Sequence, residues 1–413
     1  MTFEGLWDDL LPIGRDAQTG GYRRFAWTPA DLECREWFAA AAQDRGLDVE
    51  SDRNGNLWAW WGDPAAGNAV VVGSHLDSVP DGGAYDGPLG VVSAFAALDD
   101  LRARGRAPLR PVAVAAFSDE EGARFGVACG GSRLLTGALD AQRARGLRDS
   151  DGTTMAEAMA TSGHDPVHVG ADPGRLAQIG CFVELHIEQG RVRVETGDGF
   201  AYGLAGVDSP VGLASGIWPH GRWRIELTGR ADHAGTTRLE DRDDPMLLFA
   251  ATVLAAREAA IRHDALATIG KVRVEPNGVN AIPREVVAWL DARGADEPRV
   301  RAVVAHLAGD LESLHTGARV TEESWTGLTT FDETLRSRLA GILGNPPVIP
   351  TGAGHDAGVL AAAGVPAAMV FVRNPTGTSH SPLEHVERAD CLAGVAALAS
   401  VIADLATDAA PNP

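Results

Sequence analysis

The sequence predicts an α/β protein carrying an inserted two-layer α+β domain, and three observations lead there. Apolar β-type runs alternate with helical stretches over most of the chain, the pattern of a sheet flanked by helices. Four of those runs end at, or just before, polar residues able to do chemistry. The middle of the chain breaks the alternation and follows an order of its own.

Taken in chain order, residues 31–46 form an apolar-faced helix, with Leu32, Trp37 and Phe38 among alanines. Val70–Val72 leads into Gly73-Ser-His75-Leu-Asp77, and Val112–Phe117 into Ser118-Asp-Glu120-Glu121. Cys181–Leu185 surrounds the approach to His186, and Ala367–Val372 precedes Asn374-Pro-Thr-Gly-Thr-Ser-His380. Open α/β sheets place their sites outside the carboxyl ends of strands, so four such endings point to one shared site. In the middle, Trp223–Leu227 reads as a strand and Asp243–Arg262 as an amphipathic helix. Ala267–Val274 and Glu285–Asp291 read as strands, Pro298–Leu314 as a helix and Ala318–Ser324 as a last strand. That strand-helix-strand-strand-helix-strand order is ferredoxin-like. Gly212 and Gly216 before it and Gly327 after it supply hinge residues. The expected division is a discontinuous catalytic domain, 1–211 with 328–413, and an inserted domain, 212–327.

Composition narrows the function. Of 413 residues, 45% are hydrophobic and 22% charged, the profile of a globular protein with a sizeable core. The 36 basic residues against 56 acidic ones leave a formal charge of -20. Such a field repels nucleic acid and anionic membrane, so neither is an expected partner. An anionic substrate would need local positive charge from a metal or an arginine. Cys34, Cys129, Cys181 and Cys391 are scattered with no CxxC pair; a reducing compartment, the cytoplasm, is the expected location. The first ten residues have no basic region of a secretory signal, no run is expected to span a membrane, and the tail 408–413 is expected to fray.

Each chemical motif is ambiguous alone. In His75-Leu-Asp77, residues two apart on a strand face the same side, so Asp77 can steady a metal-ligating histidine or form a plain hydrogen-bonded pair with it. Asp86, in Gly82-Gly-Ala-Tyr-Asp86-Gly87, is either a turn residue or a carboxylate bridging two cations about 3.5 Å apart. Asp119-Glu120-Glu121 is either a solvated acidic loop or a pair divided between metal ligation and general-base work, since adjacent buried carboxylates repel without a cation or proton between them. His186 and His380 could be structural. Together, three histidines, an aspartate and a glutamate at strand ends are the ligand types zinc takes. No HExxH, GxSxG elbow or phosphate-binding glycine loop competes with this reading.

Seven motifs occur in order: His75-Leu-Asp77, Gly82–Gly87, Asp119-Glu-Glu121-Gly, His186-Ile-Glu-Gln189-Gly, Asp232-His233-Ala-Gly-Thr-Thr237, Gly352-Ala-Gly-His355-Asp and Ser379-His380. This set resembles the hydantoinase/carbamoylase branch of the dinuclear zinc amidohydrolases, relatives of aminoacylases and dinuclear exopeptidases. The branch includes N-carbamoyl-L-amino-acid hydrolases, allantoate amidohydrolases and one type of β-ureidopropionase. The resemblance spans about residue 70 to residue 385 and implies an exopeptidase-like catalytic domain with an inserted dimerisation domain.

The resemblance also implies the division of labour. His75, Asp86 and His186 would hold one divalent ion, and Asp86, Glu121 and His380 a second. Zinc is the expected metal, with manganese, cobalt and nickel as alternatives. Glu120 would be the general base for a water shared by the two ions, and Asp77 would orient His75. His233 would reach the other subunit's site in a homodimer and stabilise the oxyanion. Asn280 and Arg293 would bind the carboxylate of a small substrate, with Gln189 and His355 lining the pocket. The implied reaction is hydrolysis of a C–N bond in an N-carbamoyl-L-amino acid or allantoate. An N-formyl or N-formimino group on an acidic amino acid is the second reading. A catalytically dead binding relative is a third, which the complete ligand set with Glu120 argues against. One departure bears on the second reading. Where relatives commonly have proline after His-Ala-Gly-Thr-Thr, this chain has Arg238, and the preceding segment, Ala201–His220, is longer and more aromatic than usual. Arg238 could meet a second substrate carboxylate, or pair with Glu240, Asp241 or Asp243.

Overall fold

The computed structural model describes residues 2–314 and 317–407, so the tail expected to fray lies outside the described residues. In chain order the strands are β1 (Asp48–Ser51), β2 (Leu57–Trp61), β3 (Ala69–His75), β4 (Val112–Phe117), β5 (Ile179–Ile187), β6 (Arg193–Thr196), β7 (Gly199–Tyr202), β8 (Val211–Ile217), β9 (His220–Thr228), β10 (Asp232–His233), β11 (Ala265–Glu275), β12 (Ala281–Ile282), β13 (Glu285–Gly294), β14 (Ala318–Thr326), β15 (Thr329–Thr330), β16 (Val348–Thr351) and β17 (Ala367–Val372). They form a nine-stranded mixed sheet ordered β1-β2-β4-β3-β5-β17-β8-β15, with β16 also on β8, and a separate four-stranded antiparallel sheet ordered β11-β13-β9-β14. The chain divides into two compact units, Met1–Gly216 with Thr330–Pro413, and Ile217–Thr329.

In the large unit the central strands β3, β4, β5 and β17 run parallel. Their residues are buried throughout β3, β4 and β17, as expected of strands covered on both faces, which read as unbroken Val/Ala runs. Register aligns their carboxyl ends: His75 pairs with Phe117, Gly73 with Glu184, and Phe371 with His186. Helix Pro88–Ala103 starts with proline at its first turn and is buried on nearly all sides up to Leu98, so it is an inner helix rather than an amphipathic one. Helix Arg388–Thr407 packs on it. By length and composition Arg388–Ala406 is apolar enough to cross a membrane, with 56% of that stretch buried inside the protein. The expectation that no run reaches that length is corrected here. Leu398, Val401, Ile402 and Leu405 belong to the same core as Leu89, Phe95 and Val370.

The small unit has the expected strands and helices. In β13, Val286, Ala288, Leu290 and Ala292 join Trp223, Ile225 and Leu227 of β9 in a core with Val300, Leu307 and Leu311 of helix Glu297–Leu314. Asp291 and Arg293 alternate onto the other face, the period-2 pattern of a sheet packed on one side. Helix Pro245–Arg262 begins at Asp244, whose side chain accepts the Met246 N–H, an N-cap. Gly212 and Gly216, expected as hinge residues, lie in β8, which pairs with β17 through Gly212 and Phe371, and the units divide directly after Gly216. Their spacing in a short apolar run gave no sign of that pairing.

Candidate metal centre

The cluster residues lie at, or on loops beyond, the carboxyl ends of the parallel strands. His75 is the last residue of β3, Glu120 and Glu121 follow β4, His186 lies near the end of β5, and His380 follows β17. Asp86 is brought in by the glycine-rich loop before helix Pro88–Ala103. Two sets of donor atoms result, each with its atoms within 4.8 Å of one another: His75, Asp86 and His186, and Asp86, Glu121 and His380. Asp86 belongs to both. Its Oδ1 lies 3.5 Å from His75 Nε2 and 3.1 Å from His186 Nε2. Its Oδ2 lies 3.5 Å from His380 Nε2, which is also 3.5 Å from Glu121 Oε2.

Hydrogen bonding shows why a cation fits. His75 Nδ1 contacts the Asp77 carbonyl at 3.1 Å, and His186 Nδ1 the Ile187 carbonyl at 2.8 Å. A carbonyl only accepts, so each Nδ1 carries a proton and each ring turns its Nε2 toward Asp86; burial opposes the charge, but Glu120, Asp77 and Asp86 around His75, and Asp86 beside His186, hold both rings above the ordinary histidine range. Both Nε2 atoms are buried and have no hydrogen-bond partner. Two buried, unpartnered ring nitrogens grouped with a carboxylate are a costly arrangement that a cation between them resolves. The carboxylates point the same way. Burial, with Asp356 and Glu121 adding, pushes Glu120 well above its ordinary range. Burial and then Asp86 do the same for Glu121.

The surrounding residues fix these groups. Asp77 is buried, and its two oxygens accept the N–H groups of Glu120 at 3.1 Å and Glu121 at 3.0 Å. Its Oδ1 is 3.5 Å from His75 Nδ1, so it braces the ligand loop as well as facing the histidine. Glu120 Oε2 lies 3.8 Å from His75 Nε2. Gln189 Nε2 donates to Asp86 Oδ2 at 2.7 Å and to Ser379 Oγ at 3.3 Å. His355 is buried edge-on to His186, ring centroids 4.6 Å apart; burial and then His186 hold it well below the ordinary histidine range. A third set, Glu184, His186 and His355, is equally close-packed. Its Glu184 oxygens already accept Ser74 Oγ at 2.8 Å and the Ala357 N–H at 2.9 Å, so it anchors β5 to the helix after His355.

His233, Asn280, Arg293 and Arg238 lie in the small unit. His233 and Asn280 are neighbours: His233 pairs with Ala281 between β10 and β12, and the Ala234 N–H donates to the Asn280 carbonyl at 3.0 Å. Both are exposed. His233 Nδ1 accepts the Gly235 N–H at 2.9 Å and the Thr236 N–H at 3.2 Å, which leaves the proton of the neutral ring on Nε2. Arg293 forms a two-pronged bond with Asp291, Nε–Oδ1 2.6 Å and Nη2–Oδ2 2.8 Å. Arg238 pairs with Glu240 and Asp241 on its own turn, with 72% of its side chain exposed. This is the surface pairing that the sequence reading set beside contact with a second substrate carboxylate.

Sequence reasoning missed Cys129, whose thiol donates to Glu120 Oε1 at 3.3 Å. Nothing in the spacing of a lone cysteine marks such a contact. It also missed Glu384, whose Oε1 accepts the N–H groups of Tyr85 and Asp86. A glutamate four residues after a metal-ligating histidine was the available signal.

A model of the peptidase family M20/M25/M40 matches residues 71–404. The N-carbamoyl-L-amino acid amidohydrolase of Geobacillus stearothermophilus is 34% identical over 98% of this chain and 98% of its own. The chain belongs to the M20 family. Within the family it falls on the hydantoinase/carbamoylase branch. The structure of a hydantoinase/carbamoylase amidase from Burkholderia vietnamiensis matches with a TM-score of 0.87 and 27% identity, covering 98% of each chain. AtUAH, solved in complex with glyoxylate, matches with a TM-score of 0.86 and 26% identity over 98% of this chain and 96% of its own. This M20 chain is therefore a hydrolase of C–N bonds other than peptide bonds, and the two donor sets sharing Asp86 are the candidates for the family's dinuclear metal site.

Proposed function

We propose that the chain hydrolyses the C–N bond of an N-carbamoyl-L-amino acid or a ureido acid such as allantoate, using two divalent ions, zinc in the first instance. The observation that carries the reading is Asp86, whose two oxygens face two separate donor sets. His75, Asp86 and His186 would hold one ion, and Asp86, Glu121 and His380 the other. Bound there, the ions supply Lewis acidity, making a water more acidic and polarising the substrate carbonyl.

The protein's own groups do the rest. Glu120 is the general base: it takes the proton of the attacking water and passes it to the leaving nitrogen. The Cys129 thiol donates to its Oε1, and Asp77 accepts its backbone N–H. His233 offers an Nε2–H donor suited to an oxyanion. It acts from the partner subunit of a homodimer. Two features support association: helix Pro245–Arg262 exposes Leu247, Leu254 and Ile261 at seven-residue spacing, and β11 is an edge strand. Asn280 and Arg293 take the substrate carboxylate, Arg293 exchanging its Asp291 partner for the substrate's planar anion. The glyoxylate in AtUAH makes a small carboxylate a reasonable ligand. Four free, buried cysteines support the cytoplasm as its location.

Zinc- or manganese-loaded protein is to be assayed with N-carbamoyl, ureido, N-formyl and N-formimino acids. The expected result is ammonia release from carbamoyl or ureido acids that is lost in Glu120→Gln. Turnover confined to formyl or formimino substrates would overturn the substrate assignment, and turnover of none would overturn the enzyme reading.

A further inference from the structure

We infer that Glu384 is a positioning residue for the metal-bridging Asp86, tying its loop to the loop that carries His380; the inference rests on the dinuclear reading above.

Glu384 is 6% exposed and lies four residues after His380. Its N–H donates to the Ser381 carbonyl at 3.0 Å, closing a turn directly after that histidine. Its Oε1 accepts the N–H of Tyr85 at 2.9 Å and of Asp86 at 3.0 Å, groups 299 and 298 residues away in the chain. Two backbone N–H groups of one loop thus share a single buried carboxyl oxygen, and losing it would leave both without that partner. The loop they hold has glycine at 82, 83 and 87 and so loses more conformational freedom on ordering than most. Gly83 makes room for the clamp: a Cβ there would stand 2.2 Å from Glu384 Oε1.

A bridging carboxylate needs such a clamp more than a terminal ligand does. Asp86 Oδ1 faces His75 and His186 while Oδ2 faces His380, so a modest turn of its backbone misaims both oxygens at once. Gln189 and Ser379 contact Oδ2, which steadies the side chain. Glu384 alone grips the Asp86 main chain through a carboxylate among the described contacts. Because the same side chain belongs to the His380 turn, it fixes the spacing of two of the three donors in the second set. That second ion should depend on it more than the first, whose His75 and His186 are strand residues.

The experiment titrates zinc alone into chelator-stripped full-length protein by calorimetry, with the melting temperature of the stripped protein measured alongside. Wild type should bind two ions. Glu384→Ala should weaken the second by about 10–100-fold, the usual cost of losing an outer partner of a metal ligand, and the first by less. Gly83→Ala, which pushes the carboxylate off its donors, should do the same. Glu384→Gln keeps an oxygen that can accept both N–H groups and should restore most of the affinity. Both affinities intact in folded Glu384→Ala, even with a lowered melting temperature, would overturn the inference and leave a structural role. If Glu384→Ala does not fold, a folded Gly83→Ala with both affinities intact would overturn it equally, as would failure of Glu384→Gln to rescue. Wild type binding two ions with unaffected variants would sink this inference alone; wild type binding fewer than two would sink the dinuclear reading with it.

Discussion

In the proposed function two neighbouring glutamates do different work, and substitution should separate them. Glu120→Gln keeps the shape of the side chain and both donor sets, so two ions should remain bound while turnover falls by about 10²–10⁴-fold, the usual contribution of a general base. Glu121→Gln removes a ligand from the Asp86, Glu121 and His380 set, and elemental analysis should find the second ion depleted. Near-normal turnover in Glu120→Gln would remove it from the base role. Arg238→Ala should change kcat/KM for glutamate-type and leucine-type substrates equally and by no more than about twofold, because an exposed ion pair contributes little. A selective loss on the acidic substrate would restore Arg238 to the site. The candidate ligands were legible in the sequence because metal chemistry restricts them to few residue types, and the structure brings those residues into two donor sets. The roles of Arg238 and Arg293 depend on which carboxylate lies nearest in space. Glu240 and Asp291 are close in sequence to each, and the arginines pair with them.

At the scale of elements, the strands β3, β4, β5 and β17 were legible as apolar runs, and their shared carboxyl edge followed from the parallel order they adopt. The small unit was legible down to its element order, since alternation in β9 and β13 and the helical stripe between them are strong periodic signals. The pairing of β8 with β17 was not, because a short run of Val, Gly, Leu and Ala carries no clear period. Helix Arg388–Thr407 shows another limit: apolar composition alone does not tell an inner helix from a membrane span. One element contact should be acutely sensitive. Gly87, with φ +83°, precedes helix Pro88–Ala103, and a Cβ there would stand 2.4–2.6 Å from the His75 ring atoms. Gly87→Ala should destabilise the fold by more than about 1 kcal/mol and weaken metal binding, seen as a lower melting temperature and a lower zinc affinity. A variant with both unchanged would show that the loop moves aside freely.

For the whole molecule, association and metal content are the properties on which the proposed function depends. Leu254, on the exposed stripe of helix Pro245–Arg262, is 71% exposed. If His233 acts from the partner, as proposed, Leu254→Asp should convert a dimer to monomer in sedimentation, and activity should fall with it while bound metal stays. A fully active monomer would place His233 outside the shared site. The chain's charge of -20 fits this arrangement, since the cations that hold an anionic substrate are then local, namely two metal ions and Arg293. The decisive quantity is the number of divalent ions per chain measured against activity as metal is returned to stripped protein. Activity should appear only as the second ion fills and reach its maximum at two ions per chain, the number set by the two donor sets that share Asp86. Full activity with a single tightly bound ion would contradict it.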